Sequence, residues 1–391
     1  MTADCLNPSD TLTRRERVTG LAIAIACVTL VGVGLSLSIP LLAFAMDARG
    51  ASGLLIGLNA AMGGVATVVV APFIPRVAAS IGVRPTLFVA LALGAATILS
   101  FHFVAPLWAW FPLRFGFGVS LAILFVLSEF WINALAPQAS RGLVMGVYAT
   151  ALSVGLGAGP LILAGIGQDG LLPYAICAGL FVAASAPLML AGDGAPPLEK
   201  PAPGRGVLFF LLLAPVATLS GFTFGAVETG AFAFLPLYGV SLGFAPAAAA
   251  LLVTAMEVGN VALQIPLGLI SDRMDRRLLL LIIGVVGLVG AIALPLLGGS
   301  WWLYVGVAVW GGVICGLYTV ALAHLGARFS GVDLATANAA FVIMYSIGLT
   351  AGPPMLGLGF DLWTPYGVPV AMAILLAIFT AVAALRLRAP A

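Results

Sequence analysis

Five ionisable side chains lie inside long apolar stretches of this sequence. They are Arg114, Glu129, Glu228, Glu257 and His324. A charge in the middle of a bilayer costs about 2.5–3.5 kcal/mol or more, so such residues are candidates for binding a substrate or a proton. A carboxylate held away from water and coupled to a histidine can bind and release a proton near neutral pH. The chemistry that these residue types predict is therefore reversible binding of a small solute or a proton.

Helical spacing predicts how three residues of the fourth apolar stretch are arranged. Arg114 and Glu129 are 15 residues apart, so they share one helix face but lie about 22 Å apart along the axis. Asn133 follows Glu129 by one turn and extends the same face. Arg114 is therefore expected near one membrane surface and Glu129 nearer the other. Arg114 would attract an anionic group or set the pKa of a carboxylate.

A polar stripe is predicted on the eighth apolar stretch. Glu257, Asn260 and Gln264 are spaced i, i+3 and i+7, which places them on one helix face. Such a stripe points away from lipid, toward another helix or a cavity. For each of these intramembrane polar residues the competing interpretation is structural, namely a hydrogen bond between neighbouring helices.

Twelve apolar stretches have to position these residues. Of the 391 residues, 62% are hydrophobic and 8% are charged, against about 25% charged in a typical soluble domain. This composition excludes a soluble globular protein and a disordered chain. A net charge of +2 without a basic cluster excludes a nucleic-acid binder. Stretches of about 20 apolar residues predict membrane-spanning helices. They cover approximately residues 18–45, 52–75, 85–105, 109–136, 142–167, 171–191, 207–239, 246–270, 278–298, 301–326, 334–360 and 365–386.

The basic residues predict the orientation in the membrane. All but two of the 16 Lys and Arg residues fall on the side that also holds both termini. The exceptions are Arg49, on the other side, and Arg114, inside the fourth stretch. Because positive residues stay in the cytoplasm, we expect a multi-pass protein of the bacterial inner membrane with both termini cytoplasmic.

An internal repeat divides the chain into two halves. Gly155–Pro160 reads GLGAGP, and Gly348–Pro353 reads GLTAGP 193 residues later. The segment 192–206 is rich in Pro and Gly and predicts a cytoplasmic linker, so residues 1–191 and 207–391 are expected to form one six-helix bundle each. Two bundles in the same orientation predict a two-fold axis along the membrane normal and a site at their interface.

The repeat also predicts a partner for Glu129. The offset maps Glu129 onto Leu322, which places His324 at nearly the same depth in the other half. We therefore expect Glu129 and His324 to face each other across the interface between the bundles, where together they would exchange a proton.

Several motifs resemble those of the major facilitator superfamily. Gly268–Arg277, GLISDRMDRR, is similar to the family's loop signature G-x-x-x-D-R-x-G-R-R, with Asp275 in place of the usual glycine. The matching loop of the first half, residues 72–84, lacks the aspartate. Arg114 followed by Gly118 resembles the signature R-x-x-x-G. Other stretches are similar to a bacterial branch, the YcaD-like group, and this resemblance implies no substrate.

The fifth stretch carries a motif that the superfamily associates with one direction of transport. It matches the pattern G-x8-G-x3-G-P, which is associated with antiporters that export a substrate in exchange for protons. The matching residues are Gly146, Gly155, Gly159 and Pro160. Through the resemblance, this pattern implies export.

The resemblance also implies alternating access by rocking of the two bundles. A charged cluster at helix ends can lock neighbouring helices, and glycines followed by proline let helices pack closely and kink. The alternative is that the charges only anchor the topology and the glycines only pack. The residues assigned to gating or conformational change are Gly155, Gly159, Pro160, Gly268, Asp272, Arg273, Arg276, Arg277, Gly348, Gly352 and Pro353.

These observations predict an all-α transporter with twelve transmembrane helices in two pseudo-symmetric bundles. The only lysine, Lys200, lies in the linker, so the sequence has no P-loop that could bind ATP. We therefore expect coupling to protons, without a cofactor or metal. Few polar residues in the expected cavity favour export of an apolar or amphipathic compound by a monomer in the bilayer. The main alternative is proton-coupled uptake using Arg114 and Glu228. A membrane sensor without transport fits less well, as does an enzyme, since no nucleophile–base pair is found.

Overall fold

The computed structural model describes residues 14–136, 141–190, 214–329 and 331–388. Within these ranges the chain is almost entirely helical and contains no strand. A lipid surrounding requires this, because each backbone amide of a helix finds its acceptor inside the same segment. Twelve long helices, α1 to α12, follow one another along the chain. They are Arg14–Asp47, Gly53–Val70, Val83–Phe103, Trp110–Leu135, Arg141–Ile166, Leu172–Leu190, Pro215–Ser241, Pro246–Arg273, Arg276–Ala293, Trp302–Arg328, Gly331–Leu362 and Gly367–Arg388.

The long helices correspond one to one to the predicted apolar stretches, and the all-helical membrane fold is confirmed. Eleven of the described helices are long and apolar enough to cross a membrane. The remaining one, α7, has 27 residues and carries Glu228 among several Gly, Ser and Thr residues. These polar and small residues lower the hydropathy of α7 along its length.

One predicted boundary differs from the structure, and another lies outside the described residues. The second stretch was expected to reach residue 75, but α2 ends at Val70 and a separate short helix, Ile74–Ile81, follows a turn. Pro72 and Pro75 explain the break, since proline lacks an amide proton and restricts the residue before it. The seventh stretch was expected from residue 207, but residues 191–213 lie outside the described ranges. The linker 192–206 and the bundle boundaries therefore remain predictions.

Helix packing repeats between the first six and the last six helices. In the first half α1 packs on α5, α2 on α4 and α3 on α6. In the second half α7 packs on α11, α8 on α10 and α9 on α12. Each pair of the first half thus has its counterpart six helices later, which is the pseudo-symmetry expected from the repeated sequence motif.

The repeated glycine motif brings one pair of helices close together in each half. A Cβ at Gly155 of α5 would lie 2.7 Å from the Thr29 carbonyl oxygen of α1. In α11, a Cβ at Gly348 would lie 2.9 Å from the backbone nitrogen of Ala226 in α7. A Cβ at Gly352 would also lie against the backbone of Ala226. The motif therefore allows close backbone approach within each half, while a hinge role stays a prediction.

Successive helices run in alternating directions, which gives the molecule two distinct ends. We call the end with Arg76, Arg84 and Arg328 the basic face. The end with Arg49 and Trp301 is the opposite face. Arg84 ties the start of α3 to the end of α6 at the basic face, because its Nη2 donates to the Met189 carbonyl.

The two halves contact each other through α2 against α11 and α5 against α8. Gly57 of α2 lies against the backbone of Pro353 in α11, and nearby Asp361 of α11 hydrogen-bonds the start of α2. Thr254 Oγ1 of α8 donates to the Gly157 carbonyl of α5 at 2.9 Å. These contacts all lie toward the opposite face, so they close the molecule at that end.

Candidate functional site

Glu228 of α7 is the best-defined polar group between the helices of the second half. Its Oε2 accepts a hydrogen bond of 2.7 Å from the Tyr345 hydroxyl of α11. Phe224, one turn earlier, stacks on the Tyr345 ring with centroids 6.0 Å apart. Tyr318 of α10 packs edge-on against Tyr345 at 5.7 Å and against Phe224 at 5.6 Å. The hydroxyl that donates to the carboxylate therefore belongs to a cluster of three aromatic rings.

Glu257 of α8 is a second carboxylate close to the first. It is 1% exposed, and Asn260 Nδ2 donates to its Oε2 at 3.4 Å. Its charge interacts with that of Glu228. Its Oε1 has no hydrogen-bond partner in the described part of the chain. Leaving a buried polar atom unpaired is costly, so a proton or a cationic ligand is what would satisfy this oxygen.

Glu129 of α4 approaches the same place from the first half. Its side chain is exposed, and its Oε1 accepts a hydrogen bond of 3.1 Å from the Tyr148 hydroxyl of α5. Tyr318 of α10 interacts electrostatically with both Glu129 and Glu228. Carboxylates from the two halves thus lie within electrostatic range of one tyrosine.

We call this arrangement the central acidic site. It combines carboxylates from three helices with hydroxyls from three others. Its members are Glu129, Glu228, Glu257, Tyr148, Tyr318 and Tyr345. The halves are joined toward the opposite face, and Glu129 is the exposed carboxylate of the site.

Arg114 does not belong to the central acidic site. It is 6% exposed and lies near the start of α4, with its guanidinium carbon 5.8 Å from the centroid of the Phe117 ring. Its charge interacts with Cys177 of α6, inside the first half. The spacing did predict that it is far from Glu129, but the structure also separates it from Glu228.

The expected pairing of His324 with Glu129 is wrong. The charged neighbours of His324 are Arg277, Arg328, Asp275 and Arg276, at the basic face. The offset between the repeats predicts the depth of His324 in the membrane, but it does not predict the direction in which its side chain points. His324 follows Tyr318 by six residues, which rotates its side chain by about 240° around α10, so it points away from the central acidic site. Asn133 lies in α4, and its side chain is outside the described part.

The charged loop between α8 and α9 is held by local interactions. Arg276 Nη2 lies 3.3 Å from Asp272 Oδ1 in an ion pair. Asp275 Oδ1 accepts hydrogen bonds from the amides of Arg277 at 2.7 Å and Leu278 at 3.2 Å, so it is the N-cap of α9. This capping explains an aspartate where the superfamily signature has glycine. Arg273 is exposed, and a gating role for the cluster remains a prediction.

The remaining gating candidates fall into two groups. Gly159 packs against Ser36 and Leu37 of α1, and the following Pro160 is buried inside α5. Around Gly268, by contrast, no atom lies within 4 Å of a Cβ built there. Close helix packing therefore accounts for Gly155, Gly159, Gly348 and Gly352 but not for Gly268.

Sequence reasoning missed the partners that complete the site. Phe224 was not singled out, and the hydrogen bond from Tyr345 to Glu228 was not predicted. Tyr345 is 117 residues from Glu228, so helical spacing carries no signal for their contact. One usable signal exists for Phe224, because it precedes Glu228 by four residues and therefore shares its helix face.

Comparison with known proteins identifies the family of the chain. A family model described as Major Facilitator Superfamily matches residues 24–250 and 217–391. The uncharacterized MFS-type transporter YfkF of Bacillus subtilis is 23% identical over 341 residues, 85% of this chain and 86% of that protein. The uncharacterized MFS-type transporter YE1530 of Yersinia enterocolitica is 26% identical over 263 residues, 64% of this chain and 65% of that protein.

Two solved structures are similar in fold. The nucleoside transporter NupG, as a D323A mutant, aligns with a TM-score of 0.77 at 14% identity, over 95% of this chain and 98% of that one. A bacterial homologue of the human lysosomal transporter Spinster, inward-facing and unoccupied, aligns with a TM-score of 0.74 at 15% identity, over 96% of both chains. At this identity the similarity establishes the architecture and carries no information on substrate.

Proposed function

The chain belongs to the major facilitator superfamily of membrane transporters, and on that premise we propose that it exports an apolar or amphipathic small molecule in exchange for protons. It is a multi-pass membrane protein by family and by its apolar helices. We further propose that it lies in the bacterial inner membrane with the basic face in the cytoplasm, because positive residues are retained there.

The observation that carries the proposal is the central acidic site. Glu129 from one half and Glu228 from the other interact electrostatically with Tyr318, and Glu257 interacts with Glu228. Carboxylates in a low-dielectric surrounding bind protons reversibly, which is the property that proton coupling needs. Their position between the halves means that relative movement of the halves changes both their surroundings and their access to water.

The closed interfaces suggest how transport would proceed. With the basic face in the cytoplasm, the conformation described here receives substrate from inside the cell. Binding would displace protons from the central acidic site. The halves would then rock, separating α2 from α11 and α5 from α8, and the substrate would leave at the opposite face. Protons from outside would reload the site. One chain contains both halves, so we propose a functional monomer.

Proton-coupled uptake of a compact polar metabolite is less well supported. It was expected to use Arg114 together with Glu228. Arg114 is buried beside Cys177 in the first half, whereas Glu228 lies beside Tyr345 in the second. The two side chains therefore do not surround a common ligand in this conformation.

The test uses everted membrane vesicles with an imposed proton gradient, acid inside. A panel of lipophilic cations, amphipathic drugs, small peptides, sugars and organic acids is added, and collapse of the gradient is followed. We expect at least one compound to trigger collapse with the wild-type protein and much less with Glu129→Gln. Asp169→Asn, an exposed carboxylate at the opposite face, is the control and should behave like wild type.

Each other outcome has a defined meaning. If gradient collapse is still seen with Glu129→Gln, proton exchange is supported and the residue that carries the proton is Glu228 or Glu257. The absence of any response from correctly inserted protein would contradict export and call for uptake assays in right-side-out vesicles. Saturable binding without flux in either orientation would indicate a sensor.

A further inference from the structure

The central acidic site contains negative groups without a basic partner. Tyr345 and Asn260 donate hydrogen bonds to Glu228 and Glu257, and both donors are neutral. No arginine, lysine or histidine of the described ranges interacts with either carboxylate. The basic residue buried in the membrane, Arg114, interacts with Cys177 instead. A positively charged ligand would balance the negative charge of Glu228 and Glu257.

The unpaired oxygen of Glu257 points to a ligand independently of this charge balance. The side chain is 1% exposed, and its Oε1 has no hydrogen-bond partner among the described residues. Such an atom is normally satisfied by the protein or by something bound. It lies within interaction range of Glu228, so a cation beside Glu228 also stabilises Glu257.

The rings around Glu228 define what kind of cation fits. Phe224, Tyr318 and Tyr345 pack on one another with ring centroids 5.6 to 6.0 Å apart, and the Tyr345 hydroxyl joins this cluster to the carboxylate. Aromatic faces attract organic ammonium and related ions. Hard inorganic cations instead require six or more oxygen ligands, and aromatic faces do not provide them. The site therefore favours an organic cation over a metal ion.

We propose that the substrate is an amphipathic organic cation, with its charged centre beside Glu228 among the rings of Phe224, Tyr318 and Tyr345 and its apolar part toward the space between the halves. This inference rests on the proposed export function, and it specifies the substrate class. Glu257 adds a second negative charge near Glu228, and Glu129 is the exposed carboxylate of the site.

Binding to the purified full-length protein tests the charge requirement. The probe is tetraphenylphosphonium, measured by equilibrium dialysis. Competitors are benzyltrimethylammonium and neopentylbenzene, which replaces the charged nitrogen by carbon at nearly the same shape. We expect saturable probe binding and displacement by the ammonium compound at concentrations about tenfold or more below those of the neutral one. Equal displacement by both compounds would overturn the inference, and so would displacement of the probe by sodium ions alone.

Variants locate the site. Glu228→Gln should weaken probe binding by about tenfold or more, and Glu228→Asp, which keeps the charge, should weaken it less. Phe224→Leu should weaken binding and Phe224→Tyr restore it. Asp169→Asn is the control. Unchanged probe binding in the double variant Glu228→Gln/Glu257→Gln would contradict the assignment. The comparison of the two competitors uses wild-type protein, so it holds even where a variant fails to fold.

The vesicle assay separates this inference from the proposed function. Gradient collapse triggered by neutral compounds but not by organic cations would leave proton-coupled export standing and overturn the inference. Selective binding of organic cations without proton movement would support the inference and overturn proton-coupled export.

Discussion

The carboxylate of Asp361, near the end of α11, accepts a hydrogen bond of 2.6 Å from the backbone amide of Gly53, the first residue of α2. Its second oxygen accepts one of 2.8 Å from the amide of Leu54. The first amides of a helix lack acceptors within the helix, and the helix dipole favours a negative charge there. A side chain of the second half thereby caps a helix of the first half and ties the two halves together at the opposite face.

Removing this cap should favour separation of the halves at the opposite face. Loss of a capping side chain costs about 0.5–2 kcal/mol, so Asp361→Ala should shift the conformational equilibrium by about twofold to thirtyfold. Asp361→Asn retains an acceptor oxygen and should have a smaller effect. Spin labels at Ala51 and Trp363, after replacement of the four native cysteines, report the distance between the halves. An unchanged distance distribution in Asp361→Ala, as in the control Asp169→Asn, would contradict the prediction.

The hydrogen bond from Tyr345 to Glu228 should matter for transport more than for stability. Tyr345→Phe keeps the ring that packs on Phe224 and removes the donor to the carboxylate. Hydrogen bonds to charged groups contribute about 1.5–3 kcal/mol, so the rate of substrate-driven proton exit should change by about tenfold or more.

Tyr304→Phe is the matched control for that experiment. Its hydroxyl donates to the Ala248 carbonyl at 2.9 Å, and it lies outside the central acidic site. Transport should be close to wild type in this variant, and both variants should melt within a few degrees of wild type in detergent. The same small effect on transport from both substitutions would show that Tyr345 has no special role.

The close packing of α7 on α11 predicts an unequal response to added methyl groups. A Cβ at Gly352 would lie within 2.5 Å of the Ala226 carbonyl carbon, so Gly352→Ala forces the two backbones apart and should lower the free energy of unfolding by about 1–3 kcal/mol. Gly268→Ala meets no atom within 4 Å and should be neutral. Thermal unfolding in detergent measures both, and equal stability of the two variants would refute the packing role.

The capping role of Asp275 predicts an order of stability among substitutions. Asp275→Ala removes the acceptor for the amides of Arg277 and Leu278 and should cost about 0.5–2 kcal/mol. Asp275→Gly, which restores the residue usual in the superfamily, should cost only a few tenths of a kcal/mol, because glycine is itself an accepted N-cap. Chemical unfolding resolves this order. A larger loss for Gly than for Ala would show that Asp275 acts by another interaction.

The sequence predicted features that depend on one helix or on composition. The number of long helices follows from apolar length, and the candidate status of Glu228 and Glu257 follows from the cost of charge in lipid. The end of α2 was misplaced because two prolines near residue 72 acted more strongly than hydropathy.

Features that depend on how helices turn toward one another were not predictable. His324 was assigned from depth alone, and its direction around α10 decides that it faces Arg277 rather than Glu129. The contact of Tyr345 with Glu228 joins residues far apart in the chain. Asp361 was missed because its partners are backbone amides, which no residue type reveals.

The two interfaces that close the opposite face are equivalent by pseudo-symmetry but unequal in chemistry. Between α2 and α11 an exposed carboxylate, Asp361, meets the positive end of a helix. Between α5 and α8 a hydroxyl, that of Thr254, meets a carbonyl. Dissolved salt weakens electrostatic interactions of exposed charges, with a screening length of about 10 Å at 0.1 M ionic strength, so it should affect the first contact more than the second. The halves should therefore separate asymmetrically, beginning at α2 and α11, and the ionic strength at the opposite face should affect how readily they separate.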